Sequence, residues 1–278
     1  MDKLLIFAKS PIKGKVKTRL KKDTPLTDDD ILKLYTAFLK DTIISASLSK
    51  AQKIYIAYYP EDSRDVMYDI VFQSSIFNLQ SLIELFPQSG NDFDRRLTNA
   101  LKKIHKDSRD NIVILGSDSP HIQPLTINKA FEFLSIPKSV IRNPKYRGAM
   151  VLGPSGEGGV YLIGVKGQGS RVKREFDFNG VFTTGNESDN LLKIAKNKKL
   201  PLLILEELTD VDVKSDLITL ISNLSMMQYS SGNTKMHLPR YTINTIKNLG
   251  LTVERKGDGS IGSPGGGTRE KYLSRNKP

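Results

Sequence analysis

A loop rich in cations follows the first apolar run of the chain, and its residue types suit the binding of phosphate groups. The run ends at Ala8, and the loop contains a glycine and a hydroxyl among its cations: Lys9, Gly14, Lys15, Lys17, Thr18 and Arg19. Ligands of open α/β sheets bind beyond the carboxyl ends of strands, and the amides of a helix start attract anions. The Walker A pattern is not matched, because Lys9 and Val16 replace its first glycine and its Ser or Thr. The loop predicts a polyphosphate cradle, with an ordinary solvated basic turn as the alternative.

A single aspartate follows the most strand-like run of the sequence. This run, residues 111–115, leads into Gly116-Ser117-Asp118-Ser119-Pro120. A carboxylate at the end of a buried strand is poorly solvated unless it has a partner, and a divalent cation is one such partner. Asp118 is therefore a candidate metal ligand and catalytic residue. Two alternatives stay open: Asp118 caps the next helix, or it forms a salt bridge with Arg19.

Two further aspartates precede the last strongly helical segment. Asp210 and Asp212 are separated by one residue on an extended segment, so their side chains point to the same side. Either could supply a second metal ligand beside Asp118, and Asp212 is the one we select. Asp216 is better explained as a charge in the first turn of a helix. Carboxylate oxygens are hard ligands, so the predicted cofactor is Mg²⁺ or Mn²⁺.

A glycine-rich segment, residues 153–162, supplies the fourth set of candidate residues. Its glycines run into an apolar stretch, and they permit a close approach between the backbone and a ligand. The same pattern fits an ordinary hairpin or loop. The candidates in this segment are Glu157, Gly158, Gly159 and Tyr161.

Alternating strand-like and helix-like segments separate these candidates. Runs of strand length occur at residues 4–8, 53–59, 82–86, 111–115 and 201–205, and broken strands are predicted within 140–165. Helical periodicity covers residues 28–43, 63–68, 93–105, 125–134, 187–197, 215–224 and 240–249. Such alternation is typical of βαβ units, so we predict an α/β fold whose sheet is largely parallel.

The length of the chain, 278 residues, suits one large α/β domain with an appendage. We assign residues 1–225 to this domain and residues 226–278 to a basic C-terminal extension. In the extension, a short helix precedes a glycine-rich tail that is predicted to be disordered. The chain has no cysteine, which excludes disulfides and thiolate metal sites and is compatible with a reducing compartment.

The net charge of +12 and the pI of about 9.6 would suit a nucleic-acid-binding protein. However, the basic residues are spread along the chain, and no RNP, zinc-finger or helix-turn-helix signature accompanies them. We therefore predict small polyanionic substrates rather than nucleic acid. No apolar stretch approaches membrane-spanning length and the N-terminal run is too short for a signal sequence, so we expect a cytoplasmic location and no membrane partner. No pattern indicates an oligomeric state.

The order and spacing of these segments resemble the DUF2064 family over roughly residues 3–224. The resemblance includes the basic loop, the Gly-Ser-Asp-Ser-Pro motif, the glycine-rich segment and the aspartates of 210–216. Gln88, Asp92 and Arg96 also resemble the family's Gln/Gly-Asp-Leu-Gly/Arg segment, with Asp94 where a glycine is usual. The family's Asp-Gly-Gly-Tyr-Tyr-Leu motif corresponds here to Glu157-Gly158-Gly159-Val160-Tyr161-Leu162. The resemblance adds Asp92 and Arg96 to the candidate nucleotide-binding residues.

DUF2064 belongs to the GT-A, or nucleotide-diphospho-sugar transferase, superfamily, near the molybdenum-cofactor and phospholactate guanylyltransferases. The resemblance therefore implies a three-layer α/β/α architecture with a mostly parallel mixed sheet. It also implies a metal-dependent transferase that binds a nucleotide and a small phosphorylated or hydroxylated acceptor.

Three functional hypotheses follow. The one we favour moves a nucleoside monophosphate from an NTP to a small phosphorylated acceptor and releases pyrophosphate. In it, Lys15 and Arg19 stabilise the triphosphate, while Asp118 and Asp212 hold the metal ion. The remaining candidates bind the nucleotide (Lys9, Gly14, Lys17, Thr18, Asp92, Arg96) or the acceptor (Glu157, Gly158, Gly159, Tyr161). The alternative is a glycosyltransferase with an NDP-sugar donor, in which Glu157 is the base for an acceptor hydroxyl. The third hypothesis is a non-catalytic nucleotide- or RNA-binding module.

Overall fold

The computed structural model describes six stretches of the chain: residues 1–73, 81–107, 110–136, 148–166, 176–255 and 271–275. Part of the stretch 140–165, in which broken strands are predicted, lies outside these residues, as does the glycine-rich part of the C-terminal tail. None of the helices in the described stretches has the length and apolar character needed to cross a membrane.

Seven strands form one mixed sheet in the order β3-β2-β1-β4-β6-β5-β7. The strands are β1 (Asp2–Lys9), β2 (Lys53–Tyr59), β3 (Ile83–Pro87), β4 (Asn111–Leu115), β5 (Met150–Pro154), β6 (Val160–Lys166) and β7 (Leu202–Ile204). β6 runs antiparallel to both of its neighbours, and every other pair is parallel. The predicted mostly parallel sheet is confirmed. Because β1 lies between β2 and β4, the loops after β1 and β4 meet at one edge.

The helices cover both faces of this sheet. They are α1 (Asp28–Ser47), α2 (Arg64–Tyr68), α3 (Phe93–Ile104), α4 (Pro124–Ser135), α5 (Glu187–Lys198), α6 (Lys214–Ser230) and α7 (Arg240–Asn248). Alternate residues of β1 enter two separate cores, because successive side chains of a strand point to opposite faces. Leu4 and Ile6 pack in the core that contains α1 and α4 side chains, and Leu5 and Phe7 pack in the core of α3 and α5. The result is the predicted three-layer α/β/α arrangement.

The C-terminal residues form a third packed region, which corrects part of the prediction. The boundary placed after residue 225 falls inside α6, which continues to Ser230. After α7, the strands β8 (Leu251–Arg255) and β9 (Lys271–Arg275) pair antiparallel, so β9 is ordered where a disordered tail was expected. Leu251 and Leu273 share a core with α1, α6 and α7, because these strands have an apolar face to bury.

Two polar contacts attach this region to α1. Asp41, fully buried on α1, accepts hydrogen bonds from the backbone N–H groups of Tyr241 and Thr242 at 3.2 and 2.7 Å. It thus satisfies free amides at the start of α7. Burial raises the pKa of Asp41 to about 6. At the other end of α1, Arg275 of β9 forms an ion pair with buried Asp30 at 2.8 Å. The C-terminal region is therefore packed on the main domain.

Candidate active site

A cleft of roughly 370 Å³ opens at the carboxyl ends of β1 and β4. The basic loop after β1 forms one wall, and residues that follow β2, β3 and β4 form the others. The lining residues are Phe7, Ala8, Lys9, Lys15, Val16, Lys17, Thr18, Arg19, Tyr35, Tyr59, Gln88, Phe93, Arg96, Ser117, Asp118 and Asp212. Sequence-distant candidates from the first three motifs are thus brought to one cavity, at the position where α/β sheets bind ligands.

The basic loop is held by its few apolar residues while its cations face the cleft. Val16 and Leu20 are buried, and Leu20 belongs to the core shared with the C-terminal region. The chain turns at Gly14, whose φ is +73°, and again at Lys17, whose φ is +45°. A left-handed backbone at a lysine is uncommon, and neighbouring contacts must hold it in place. Here the contacts are those of the lysine's own ammonium group.

Lys17 lies between two carboxylates. Its Nζ is 2.8 Å from Oδ2 of Asp118 and 2.6 Å from Oδ1 of Asp212, and only 5% of its side chain is exposed. Burial by itself lowers the pKa of Lys17, but the charges of Asp118, Asp212 and Asp210 outweigh it and raise the pKa well above the ordinary value. Lys17 therefore carries a positive charge at every physiological pH.

Backbone hydrogen bonds bring the second acidic segment to Asp118. The N–H of Val211 donates to the carbonyl oxygen of Asp118 at 3.0 Å, and Val211 itself is fully buried. Asp216 accepts from the N–H groups of Asp212 and Val213, each at 2.9 Å, at the start of α6. This confirms the interpretation of Asp216 as a helix-terminal charge. The two arrangements together hold Asp212 opposite Asp118.

A third carboxylate, Asp210, lies near Lys17, Asp118 and Asp212. Of Asp210 and Asp212, only Asp212 was selected from the sequence. Burial and the nearby charge of Asp118 together raise the pKa of Asp210 to about 7, against the opposing effect of Lys17. Asp212 behaves differently: burial raises its pKa, but Lys17 and Arg19 bring the pKa below the ordinary value. We call Lys17, Arg19, Asp118, Asp210 and Asp212 the cleft cluster.

The cleft cluster offers oxygen ligands for a hard cation. Within the described stretches, no group of three or more His, Cys, Asp or Glu side chains is arranged to hold a metal ion. Mg²⁺, however, is commonly held by one or two carboxylates together with substrate phosphates and water. Because Asp118 and Asp212 both contact the Nζ atom of Lys17, their oxygens lie within reach of a single cation. Their chemistry and separation therefore fit Mg²⁺ or Mn²⁺ once that position is free.

The opposite end of the cleft is aromatic and contains one fixed guanidinium group. Buried Gln88 donates to the carbonyl oxygens of Ala8 and Ala57 at 3.0 and 2.9 Å, and it accepts from Nε of Arg96 at 3.2 Å. The guanidinium carbon of Arg96 lies 4.4 Å from the centre of the Tyr59 ring. Arg96 is therefore oriented both by hydrogen bonding and by cation–π contact. Gln88 was noted in the sequence only beside Arg96, and Tyr59 was not predicted as a site residue.

Tyr35 is a further cleft residue that the sequence did not single out. Its hydroxyl donates to the carbonyl oxygen of Lys9 at 2.8 Å and lies 3.0 Å from Oγ of Ser117. It thus joins the end of β1 to the end of β4. In the sequence, Tyr35 is one apolar position of an amphipathic helix, so only the structure reveals this link.

Asp92 and Gly14, two predicted nucleotide-binding residues, do not line the cleft. Asp92 is the N-cap of α3 and accepts from the N–H of Arg95 at 2.7 Å. Gly14 provides the turn of the basic loop. Buried Asp94 stands where the family usually has glycine, and it accepts three hydrogen bonds, from Gly180, Phe182 and Thr183. Its carboxylate therefore holds a neighbouring loop.

The predicted acceptor-binding residues lie outside the cleft lining. Glu157, Gly158 and Gly159 belong to a short turn between β5 and β6, and Glu157 is exposed with a φ of +58°. Tyr161 is buried, and its hydroxyl donates to the backbone carbonyl of Glu206 at 3.0 Å. The hydroxyl of Tyr161 is thus engaged within the protein, which argues against its predicted contact with an acceptor. The roles of the other three residues stay predictions.

Comparison with known proteins gives the family. A family model described as "Uncharacterized protein conserved in bacteria (DUF2064)" matches residues 42–184, just over half of the chain. The protein belongs to DUF2064. The residues of this chain that match the DUF2064 model include Asp118 and Arg96 but not the basic loop or Asp212. The structure therefore adds to the family match the two segments that complete the cleft cluster.

Solved structures are also similar to this chain. A protein from Desulfovibrio desulfuricans G20, provisionally assigned as a nucleotide-diphospho-sugar transferase, has a TM-score of 0.66 and 23% identity, over 89% of this chain and 95% of that chain. A cytidylyltransferase from Leptospira borgpetersenii serovar Hardjo-bovis has a TM-score of 0.47 and 15% identity, over 89% and 94%. No curated protein matches the DUF2064 chain. The first similarity confirms the predicted GT-A-like fold.

Proposed function

We propose that this DUF2064 protein is a metal-dependent nucleotidyltransferase, which moves a nucleoside monophosphate from an NTP to a small phosphorylated acceptor. The observation that carries the proposal is the position of the basic loop, whose cations face Asp118 and Asp212 across one cleft. Five cationic side chains line this cleft, namely Lys9, Lys15, Lys17, Arg19 and Arg96. Such an excess of cations suits a polyphosphate better than a neutral ligand.

In the proposed reaction, an oxygen of the acceptor phosphate attacks the α-phosphorus of the NTP. The bond from that phosphorus to the β-phosphate oxygen breaks, and pyrophosphate leaves with the bonding electron pair. The acceptor phosphate is already ionised at neutral pH, so no side chain has to remove a proton. In agreement with this, none of the described residues that line the cleft is a histidine.

Lys15 and Arg19 would stabilise the charge that grows on the leaving pyrophosphate. Both side chains line the cleft, and that of Arg19 is 76% exposed, so it is accessible to an entering ligand. Charge-assisted hydrogen bonds to developing negative charge are among the largest contributions to catalysis. Lys9, Lys17 and Thr18 would contact the remaining phosphate oxygens.

Asp118 and Asp212 would hold Mg²⁺ or Mn²⁺. The bound ion would offset the charge of the phosphate oxygens and align them for displacement. Asp210 adds a third carboxylate near these two, and its pKa is raised first by burial and then by the neighbouring charge of Asp118. Local negative charge of this kind favours a divalent cation over a neutral ligand.

The aromatic end of the cleft would receive the nucleoside. Tyr59 and Phe93 are partly exposed, at 41% and 39%, and Arg96 is already oriented by Gln88. Stacking surfaces with a fixed donor group suit a planar heterocycle. The glycosyltransferase alternative relies on Glu157 as a base, and this residue lies outside the cleft lining. Nucleotidyl transfer is therefore the better-supported function.

A thermal-shift comparison tests the ligand class. ATP, GTP, CTP, UTP and several NDP-sugars are added separately, each with and without Mn²⁺. A ligand at a hundred times its dissociation constant should stabilise the protein by about 2.7 kcal/mol. A shift with one NTP that requires Mn²⁺ supports the proposal and identifies the base. A shift confined to an NDP-sugar supports the glycosyltransferase, and metal-independent shifts with every polyanion indicate a non-catalytic binding module.

A further inference from the structure

The ammonium group of Lys17 occupies the position in which the proposed metal ion would bind. Its Nζ contacts Oδ2 of Asp118 at 2.8 Å and Oδ1 of Asp212 at 2.6 Å. The same oxygens are the ones proposed to hold Mg²⁺ or Mn²⁺. Its side chain is 95% buried, and it shares Asp212 with Arg19, whose Nη1 lies 3.6 Å from the other oxygen of that carboxylate.

A divalent ion and this ammonium group exclude each other. Mg²⁺ binds carboxylate oxygens at about 2.0–2.1 Å, so an ion shared by Asp118 and Asp212 must lie almost where Nζ lies. Two cations in neighbouring positions would also repel strongly in a partly buried site. The metal ion can therefore bind both carboxylates only when Lys17 moves.

We infer that Lys17 is a resident counter-ion that competes with the divalent cation for Asp118 and Asp212, and that metal binding displaces its ammonium group into the phosphate-binding part of the cleft. This inference rests on the proposed function. It gives the Lys17 ammonium group two sets of partners: carboxylates in the free protein, and phosphates in the protein that has bound the metal ion and the nucleotide.

The surroundings of Lys17 allow such a movement without a change of fold. Buried Val16 and Leu20 hold the backbone on either side, and the N–H of Leu20 donates to the carbonyl oxygen of Lys17 at 3.0 Å. The ammonium group is carried by a four-carbon chain with several rotatable bonds, so it can move while the backbone stays in place. Lys15 and Thr18 line the same cleft, in the region where the phosphates would bind and contact the displaced ammonium group.

This exchange links metal binding to nucleotide binding. In the free protein, a divalent ion must break two short ion pairs, so its affinity is weakened. A bound triphosphate offers the ammonium group new anionic partners and thereby lowers that cost. Linkage is reciprocal, so each ligand strengthens the binding of the other.

Titration with Mn²⁺, followed by the EPR signal of the free ion, tests the competition without any turnover. The variants are Lys17→Met and the matched control Lys15→Met, which removes the same charge from the same cleft. Lys17→Met should bind Mn²⁺ at least about tenfold more tightly than the wild-type protein, because the competing ion pair is gone. Lys15→Met should change the affinity by no more than about threefold, through long-range charge alone. Equal effects of the two substitutions would overturn the competition.

Asp118→Asn, measured in the same titration, separates this inference from the proposed function. Loss of Mn²⁺ binding in Asp118→Asn, together with equal affinities for the two lysine variants, would overturn the role of Lys17 and leave the metal site intact. Retention of wild-type Mn²⁺ binding in Asp118→Asn would overturn the metal site itself and, with it, the proposed function.

Lysine acetylation of the wild-type protein gives an independent measurement that requires no substitution. Acetic anhydride labelling and mass spectrometry compare the rates at Lys17 and at exposed Lys13, with and without Mn²⁺. The rate at Lys17 should rise at least about fivefold when Mn²⁺ is bound, since displacement exposes an otherwise buried amine. The rate at Lys13 should stay the same. An unchanged rate at Lys17 under saturating Mn²⁺ would contradict the displacement.

Discussion

Two buried lysine–aspartate contacts lie near opposite ends of β1 and differ in how completely they are satisfied. At the amino end, Lys3 donates to Oδ2 of Asp110 at 2.5 Å and to the carbonyl oxygen of Ile104 at 2.9 Å. The N–H of Asp107 donates to the same Asp110 carboxylate at 3.1 Å. Lys3 and Asp110 are both almost wholly buried. The N-terminal amino group lies 3.5 Å from the other oxygen of Asp110, so this buried carboxylate has two cationic partners and is fully satisfied.

The cleft cluster at the carboxyl end has two cations, buried Lys17 and exposed Arg19, for the three carboxylates of Asp118, Asp210 and Asp212. The side chains of Asp118 and Asp212 are 32% and 49% exposed, so solvent and ligands can reach them. A satisfied, inaccessible pair is typical of structural roles, whereas unbalanced and accessible charge is typical of functional sites. The difference indicates that Lys3–Asp110 stabilises the fold and that the cleft cluster binds ligands.

The same Asp→Asn change at the two sites should have the most divergent outcomes. Asp118→Asn should lower metal-dependent pyrophosphate release by about a thousandfold, because metal-ion catalysis contributes several kcal/mol. Asp110→Asn should leave the rate per folded molecule unchanged. Initial rates, corrected for the folded fraction by circular dichroism, measure both. A rate within tenfold of the wild type for Asp118→Asn would contradict the assignment of the site.

Lysine substitutions should show the opposite order when stability is measured, with the larger effect at Lys3 and the smaller effect at Lys17. Lys3→Met should lower the free energy of unfolding by about 3 kcal/mol, because it leaves buried Asp110 with only the more distant N-terminal amino group as a cationic partner. Lys17→Met should cost below about 2 kcal/mol, since water can reach the carboxylates left behind. Urea unfolding of both variants gives the comparison. A larger loss for Lys17→Met would mean that the cleft cluster is mainly structural.

The outermost cation of the cleft cluster should affect ligand binding more than stability. Arg19→Ala should weaken binding of a nucleoside triphosphate by about tenfold and that of the monophosphate by about twofold or less, since charged hydrogen bonds contribute about 1.5–3 kcal/mol. Isothermal titration calorimetry with both ligands measures the difference. Equal losses for the two ligands would assign Arg19 to the structure of the loop.

The smallest expected effect is the pH dependence of the stability that the Lys3–Asp110 pair contributes. Burial raises the pKa of Asp110, but Lys3 and the Asp107 amide outweigh it and bring the pKa below the ordinary value. The contribution of this carboxylate is therefore present above the unfolded pKa of about 4 and is lost as the pH falls through the folded pKa. The stability difference between wild type and Asp110→Asn should shrink as the pH falls below about 4. A constant difference over this range would contradict the ion pair.

Much of the local structure and half of the cleft were predictable. β2 and β4 begin and end at the predicted residues, and Thr27, directly before the predicted helical segment, forms a capping box with Asp30. The motifs directly after β1 and β4 were also predicted to contain site residues, because local sequence patterns define the two strands that position them. These features depend on hydrophobic periodicity and on helix-start residues, which are properties of short segments.

The order of strands across the sheet and the contacts it creates depended on tertiary structure. β6 is inserted between β4 and β5, and the chain then returns so that the N–H of Val211 meets the carbonyl of Asp118. The position of Asp212 follows from this contact. The contact of Arg96 with Tyr59 and the packing of β9 on α1 likewise join residues that are far apart in sequence.

The sequence by itself determined which residues could do chemistry and which strands would carry two of the motifs, because strand and helix patterns are local. Only the tertiary structure decided that Lys17 lies between Asp118 and Asp212, and that Tyr161 is engaged with the Glu206 carbonyl. The physical reason is that these positions follow from long-range burial and hydrogen bonding. Such contacts are satisfied by the whole packed chain rather than by any short segment of it.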